Sequence, residues 1–247
     1  MTNHAYFKGV IDKPTFSRQE LMNSFRDGGF DLSVASFNKK LNTMLENGEI
    51  LRSGRNTYYL PKNGLHTYSH NYSETSVDIA NYLLESYPLL KFSIFELVQL
   101  NAFINHQISN NVIFVQVEPD IIDFVFEALK EQFPGKVLLK PSAEVFHLYW
   151  SENMIVLDNL ISEAPRNEQP VWGSRIEKIL VDLFAEPLLK ESISFSEYPT
   201  IFENAFSNYA INESSMFRYA KRRNAYKKIL EFINKETPII LRTRGQI

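Results

Sequence analysis

Apolar positions recur at helical spacing through much of the chain, and the recurrences are interrupted by residues that end helices. The pattern is densest over residues 16–61. Ser17 followed by Glu20 makes a capping box, and Leu21, Met22 and Phe25 give the helix behind it one apolar face. Asp27-Gly28-Gly29 stops that helix with residues that tolerate positive φ. Ser33 caps a second helix whose apolar stripe is Val34, Phe37, Leu41, Met44 and Leu45, and Asn47-Gly48 ends it. A strand at 49–52, a turn over 53–56 and a strand at 57–60 then read as a hairpin. Residues 1–12 supply a preceding helix, with Tyr6, Phe7, Val10 and Ile11 on its apolar side and Pro14 closing it. Helix, helix, helix, hairpin is the order of a winged helix-turn-helix, so residues 1–61 are predicted to form a DNA-binding domain of that type.

The pattern changes after a polar, turn-rich linker at 62–73. A helix is predicted over 74–87 with Val77, Ile79, Ala80, Leu83 and Leu84 buried, and a strand at 92–95. A helix at 97–108 follows, carried by Leu97, Leu100, Phe103 and Ile104. Residues 112–117, VIFVQV, are β-branched or aromatic almost throughout and make the strongest strand in the chain. The next helix, 120–133, should bury Ile121, Phe124, Val125, Ala128 and Leu129. Strands at 136–140 and 154–157 complete an α/β sandwich, and 162–170 is a Pro-containing loop. From about residue 172 the pattern is all helical: 174–184 through Ile176, Ile179, Leu180, Leu183 and Phe184, then 196–209, 213–223 and 224–235. The fold class expected is α/β (α+β), with a second domain over 74–247 that ends in a helical bundle.

Composition narrows the chemistry. The chain has 247 residues, 44% of them apolar, with no cysteine and five scattered histidines, so thiolate metal sites and disulfides are excluded. No metal or other cofactor is expected. No apolar run approaches the ~20 residues of a membrane span and no signal pattern opens the sequence, so a cytoplasmic protein that makes no membrane contact is expected. The net charge of −3 conceals an asymmetry: residues 1–61 carry +2, residues 62–212 carry −11 and residues 213–247 carry +6. Basic ends around an acidic middle fit two surfaces that face a polyanion.

The candidate DNA contacts are the outward positions of the second helix. Beside Ala35 stand Ser36 and Asn42, which can bond base edges or phosphates, with Lys39, Lys40 and Thr43. Arg55 at the hairpin tip could reach the backbone or the minor groove. The plainer alternative is a protein-docking module with solvated lysines. A second run, Arg218-Tyr219-Ala220-Lys221-Arg222-Arg223 with Lys227 and Lys228, reads either as a solvated helix surface or as a phosphate-contacting patch, with Arg218, Arg222 and Arg223 leading and Tyr219 and Tyr226 interleaved. On helical spacing, positions 218, 221, 222 and 225 share one face.

Catalytic constellations are thin. Gly173-Ser174 suggests a nucleotidyltransferase, whose metal needs two carboxylates one residue apart on a neighbouring strand. Glu177 and Asp182 follow instead on a predicted helix, five apart, so Gly-Ser reads as a helix start. Glu118-Pro119-Asp120 has the right spacing without an upstream Gly-Ser, and Asp120 reads equally as a helix cap. His106 and His147 have no nucleophile nearby in sequence and read as half-buried structural residues. No catalytic residue is assigned; an enzyme acting through Glu118 and Asp120 is the alternative from another class.

Four segments carry a resemblance: FSIFELVQLNAFINHQ, VIFVQVEPDIIDFVFEALKE, RIEKILVDLF and IFENAFSNYAINESSMFRYAKRR. Together they resemble the AbiEi-type antitoxins and a related bacterial family, over about residues 16–233. The resemblance implies a winged helix joined to an antitoxin domain that some descriptions liken to a degenerate nucleotidyltransferase. It implies an autorepressor bound to promoter DNA of its own operon, which counteracts a nucleotidyltransferase-type toxin in type IV toxin–antitoxin and abortive-infection systems. Two departures stand out: Phe95 precedes Glu96 where a Trp is expected, and Ile108-Ser109-Asn110 follows the His-Gln pair where Pro-Gly-Arg is expected. A docking protein that meets the toxin and no DNA is the remaining alternative.

Overall fold

A computed structural model describes residues 4–46, 49–54, 56–60, 65–167 and 169–242. It is a mixed α/β protein with two small sheets. The N-terminal part begins with a 3-10 turn at His4–Phe7, then β1 (Phe16–Ser17), α1 (Arg18–Asp27), α2 (Val34–Glu46), β2 (Leu51–Gly54) and β3 (Thr57–Tyr59). The capping box forms as expected: Ser17 Oγ accepts from the Glu20 N–H at 3.1 Å and Glu20 accepts from the Ser17 N–H at 2.7 Å. Gly29 supplies the left-handed residue after α1, at φ 87°. The strands pair antiparallel in the order β1-β3-β2. Beneath them Phe7, Phe16, Leu21, Phe25, Phe37 and Met44 form one core.

The body is built on a second sheet of β4 (Phe92–Glu96), β5 (Val112–Val117), β6 (Val137–Leu139) and β7 (Met154–Asn159), in the order β4-β5-β7-β6. β4 runs antiparallel to β5, while β5, β7 and β6 are parallel. Strand alternation divides the core in two. Ile113, Val115, Ile155 and Leu157 face α3 (Glu74–Ser86) and α4 (Ile122–Gln132). Val112, Phe114, Met154 and Val156 face the helices that follow: α5 (Ala143–Tyr149), α6 (Ile176–Ala185), α7 (Pro187–Ser192), α8 (Tyr198–Asn208), α9 (Glu213–Arg222) and α10 (Tyr226–Glu236).

Several expectations need correction. Over residues 4–12 the expected helix is a 3-10 turn at His4–Phe7 followed by single turns closed by the Val10 and Lys13 N–H groups, since so short a segment ahead of Pro14 does not nucleate a helix. The first hairpin strand lies at Leu51–Gly54 rather than 49–52. The predicted helix at 97–108 shrinks to a 3-10 helix at Leu97–Ala102. There the Asn101 side chain bonds both the N–H (2.7 Å) and the C=O (2.9 Å) of Ile108, which replaces helical pairing. Short elements escaped the pattern: β1, α5 and α7. Val34, Val77, Leu84 and Phe124 are exposed, not buried, Phe124 at 71%. α4 begins two residues later than its pattern suggests and buries Val125 and Leu129 as expected, with Ile122 in place of Phe124. Gly173 and Ser174 do not start a helix: Gly173 pairs with Ile94 and Ser174 with Arg166, and α6 begins at Ile176.

Residues 65–73 lie against the body. His66 exchanges backbone hydrogen bonds with Asn208 and Ala210, and Tyr68 is buried against Phe103 and Tyr209. At the end of this segment Glu96, itself buried, accepts from His70 Nε2 at 2.7 Å, from Ser76 Oγ at 2.6 Å, and from the Ser73 hydroxyl and N–H. Burial alone would raise the Glu96 pKa, but these donors hold it at about 2. The hairpin is also anchored. The buried Tyr59 donates to the Ile211 carbonyl at 3.3 Å, and the Arg242 guanidinium lies 4.1 Å over its ring. Burial pushes the Tyr59 phenol up to about 12.

Candidate nucleic-acid interface

α2 owes its orientation to its apolar stripe. Phe37, Leu41 and Met44 are buried, and Phe37 meets Phe25 edge-on at 5.6 Å between centroids. The stripe turns the opposite face outward: Ala35, Ser36, Lys39 and Asn42 are exposed, Lys40 and Thr43 half-buried. Ser33 caps the helix by accepting from the Ser36 N–H at 3.2 Å. The Ser36 hydroxyl accepts from the Ser33 hydroxyl at 3.0 Å, which leaves its own O–H to donate to an incoming acceptor. Thr43 spends its hydroxyl on the Lys39 carbonyl at 3.1 Å and leaves only acceptor capacity. Neither Lys39 nor Lys40 has an ion-pair partner among the described residues, and residues 34–45 contain no acid.

A cleft of about 370 Å³ runs beside this face, lined by Tyr6, Phe25, Phe30, Leu32, Ser36, Lys39, Lys40 and Thr43. Tyr6 stacks on Phe25 at 4.7 Å and carries the Lys40 ammonium 5.0 Å above its ring. Tyr6, expected on the apolar side of the first segment, packs against the N-terminal core together with Phe30 and Leu32, which the pattern does not single out. Arg18, at the start of α1, reaches Asn38 on α2 and lies 5.3 Å over the Phe37 ring. Arg55 and the Asn47-Gly48 helix stop lie outside the described residues.

The C-terminal basic run is not one surface. Arg218 is exposed and approaches Glu163 at 3.6 Å. Arg222 is exposed and donates from Nε to Ser162 Oγ at 2.6 Å. Arg223 leaves the set. It is the C-cap of α9, its side chain is 11% exposed, and it meets Glu186 at 3.1 Å and Asp182 at 3.5 Å. Tyr219, expected among the cations at the surface, is fully buried and donates to Asp182 at 2.9 Å. Ala225 is buried in the turn to α10, so it shares no face with 218 and 222. The reason for the inward turn of Arg223 is helical phase: it follows the buried Tyr219 by four residues, and its N–H still bonds the Tyr219 carbonyl at 2.9 Å, so it falls on the face of α9 that meets α6.

α6 was read as amphipathic and is instead buried all round, including Glu177, Lys178 and Asp182. Lys178 meets Asp182 at 2.6 Å, so one carboxylate serves Lys178, Tyr219 and Arg223. Burial, with Asp158 and Asp182 nearby, raises the Glu186 pKa; burial lowers that of Arg223, but Asp182, Tyr219 and Glu186 reverse this and the net shift is upward. The signal available in the sequence was an i,i+4 Lys–Asp pair on a helix with apolar residues on every side.

The carboxylates of the enzymatic alternative are apart from any such cluster. Glu118 pairs with Lys91 at 3.3 Å, and Asp120 is exposed in the 3-10 turn Pro119–Ile121. No group of three or more metal-ligating side chains occurs among the described residues. His106 and His147 are exposed, contrary to expectation, and the half-buried structural histidine is His70. No helix among the described residues is long and apolar enough to cross a membrane. No curated protein matches the chain. A family model does match, over residues 36–239, most of the chain, and the protein belongs to that family, described as "Family of unknown function (DUF6577)".

Proposed function

We propose that this protein is a DNA-binding regulator whose N-terminal part acts as a winged helix, with α2 entering the major groove. The observation that carries the reading is the outer face of α2: polar, cationic and without a carboxylate over residues 34–45, in a chain of net charge −3. Lys39 and Lys40 would neutralise phosphates, while Ser36 and Asn42 would meet base edges and Arg55 would extend the contact from the hairpin. Arg218 and Arg222 are available as outlying phosphate contacts; Arg223 is withdrawn from the proposal by its buried ion pairs.

The biological setting rests on the likeness of four segments, within about residues 16–233, to AbiEi-type antitoxins. On that likeness the operator is the protein's own promoter, and the protein counteracts a nucleotidyltransferase-type toxin encoded beside it. The experiment is a gel shift with the DNA upstream of its gene, against unrelated duplex of equal length, at about 50 and 200 mM salt. The expected result is a preference for the upstream DNA that survives the higher salt. Equal, salt-abolished retention of both duplexes would overturn sequence recognition. Co-expression with the neighbouring toxin tests the antitoxin role separately: growth that is not restored removes it while leaving DNA binding intact.

A further inference from the structure

A second cavity lies at the four-stranded sheet, away from α2. It holds about 690 Å³, within the range of small-molecule sites. It opens at the carboxyl ends of the two central parallel strands: Glu118 and Pro119 follow β5, and Leu160 and Ile161 follow β7. The Leu160 N–H to Val117 C=O bond, 2.7 Å, ties the two exits together. In open α/β sheets, ligands bind in the crevice outside the carboxyl ends of the strands.

The charges around this cavity do not cancel. Lys91 is committed to Glu118, and Glu163 to Arg218 outside the rim. Arg166 has no ion-pair or hydrogen-bond partner for its guanidinium among the described residues. Arg222 gives Nε to the Ser162 hydroxyl and meets no carboxylate among the described residues. Two guanidiniums are therefore left over, in a part of the chain whose net charge is −11 over residues 62–212. Phe92, Pro119, Leu160, Ile161, Pro165 and Val171 supply an apolar wall beside them.

The inner end is polar. Ser93 lines the cavity and shares a hydrogen bond with Ser174 at 3.0 Å. Directly across the sheet from Ser93 is Gln116, and across from Gln116 is Asp158, a polar row over three strands. Gln116 is 5% exposed, and its Oε1 has no partner among the described residues. A buried, unpaired amide is costly unless something donates to it, and this one lies one strand from Ser93.

We infer that this cavity binds a small phosphate monoester, its dianion held by Arg166 and Arg222 and its body lying along the Phe92–Leu160 wall. The dianion matches the two uncommitted guanidiniums, whose planar forks suit phosphate oxygens. The inference does not depend on α2 binding DNA.

The test is calorimetric titration of the full chain with phenyl phosphate and with inorganic phosphate. Phenyl phosphate is expected to bind roughly tenfold more tightly, since its ring adds the apolar contact. Arg166→Gln and Arg222→Gln should each weaken phenyl phosphate binding about tenfold or more. Both residues are exposed, so the melting temperature without ligand should stay put, and Lys227→Gln, on the exposed face of α10, should change nothing. No saturable binding up to ~10 mM, or equal binding by wild type and both arginine variants, overturns the inference. Variants that lose affinity for duplex DNA while keeping that for phenyl phosphate would assign these arginines to DNA and overturn it as well.

Discussion

The outer face of α2 and the basic end of α9 look alike in sequence: cations on a helix, interleaved with polar or aromatic residues. In three dimensions they are opposites. Lys39 stays in water with no ion-pair partner among the described residues, and Lys40 leans on Tyr6. The end of α9 folds inward, where Arg223 and Tyr219 join Lys178, Asp182 and Glu186 in a buried network. The difference is one of helical face, not composition. The buried stripe of α2 passes through Phe37, Leu41 and Met44, so helical geometry keeps its lysines outside. Arg223 follows the buried Tyr219 by four residues and its N–H bonds the Tyr219 carbonyl at 2.9 Å, so the same geometry carries it inward toward α6. Arginine suits the inward position because it keeps its charge on burial and offers several donors in a plane.

The largest effect should come from breaking the inward half of this comparison. Arg223→Met leaves Asp182 and Glu186 buried with one cation fewer, and removing one partner of a buried pair typically costs about 3–5 kcal/mol. Urea melts should show that loss, with a fall in melting temperature on the order of 10 °C. DNA affinity of the protein that remains folded should match wild type. Unchanged stability with weakened DNA binding would return Arg223 to the surface and dissolve the contrast.

Sequence pattern located the long elements well. β5 falls on the expected residues, and α3, α8 and α9 begin or end within two or three positions of their predicted limits. These segments have a clear period and strong stops at Pro88, Asn212 and Asn224. The failures have specific causes. A helix buried on every side, such as α6, has no polar face to reveal which charges go inside. Asn101 ended a helix through side-chain bonds that periodicity does not register. The α2 face was legible because an apolar stripe fixes what points away from it. The cleft beside it was not, since Tyr6 comes from the first 3-10 turn and Phe30 and Leu32 from the loop between α1 and α2. Nor was the cavity at the ends of β5 and β7, which needs Lys91, Arg166 and Arg222 to meet across more than a hundred residues of chain.

A middle-sized effect separates two kinds of buried carboxylate. Glu96 sits among hydroxyl, amide and imidazole donors and is held at about 2. Glu186 sits among other acids and is raised. A carboxylate with a depressed folded pKa stabilises the fold above its unfolded value, near 4.5, and that contribution is lost as pH falls toward 2. For Glu96 the depression corresponds to about 3 kcal/mol. Glu186 has the opposite sign: stability is gained as pH falls through its raised folded value. Denaturant titrations of wild type and Glu96→Gln should therefore differ by a constant amount above pH 5 and converge as pH approaches 2. A gap that persists unchanged to pH 2 would mean that Glu96 acts by shape alone.

The smallest effect on stability, and the sharpest on binding, belongs to the outward half. Lys39 makes no ion pair among the described residues, so Lys39→Ala should move the unfolding free energy by less than about 0.5 kcal/mol. Lys40→Ala also loses the contact with Tyr6, 5.0 Å from its ring, and should cost about 0.5–1 kcal/mol. If both ammoniums meet phosphates, each releases about one counterion, and the double variant should flatten the slope of log affinity against log salt by about two units. The loss should be the same for operator and unrelated DNA, because phosphate contacts carry no base information. Ser36→Ala or Asn42→Ala should instead leave the slope alone and alter the preference between the two duplexes. An unflattened slope in the double lysine variant would place these lysines outside any DNA interface. α2 would then share with α9 the property of carrying cations for a purpose other than DNA, and the protein-docking reading of its outer face would take over.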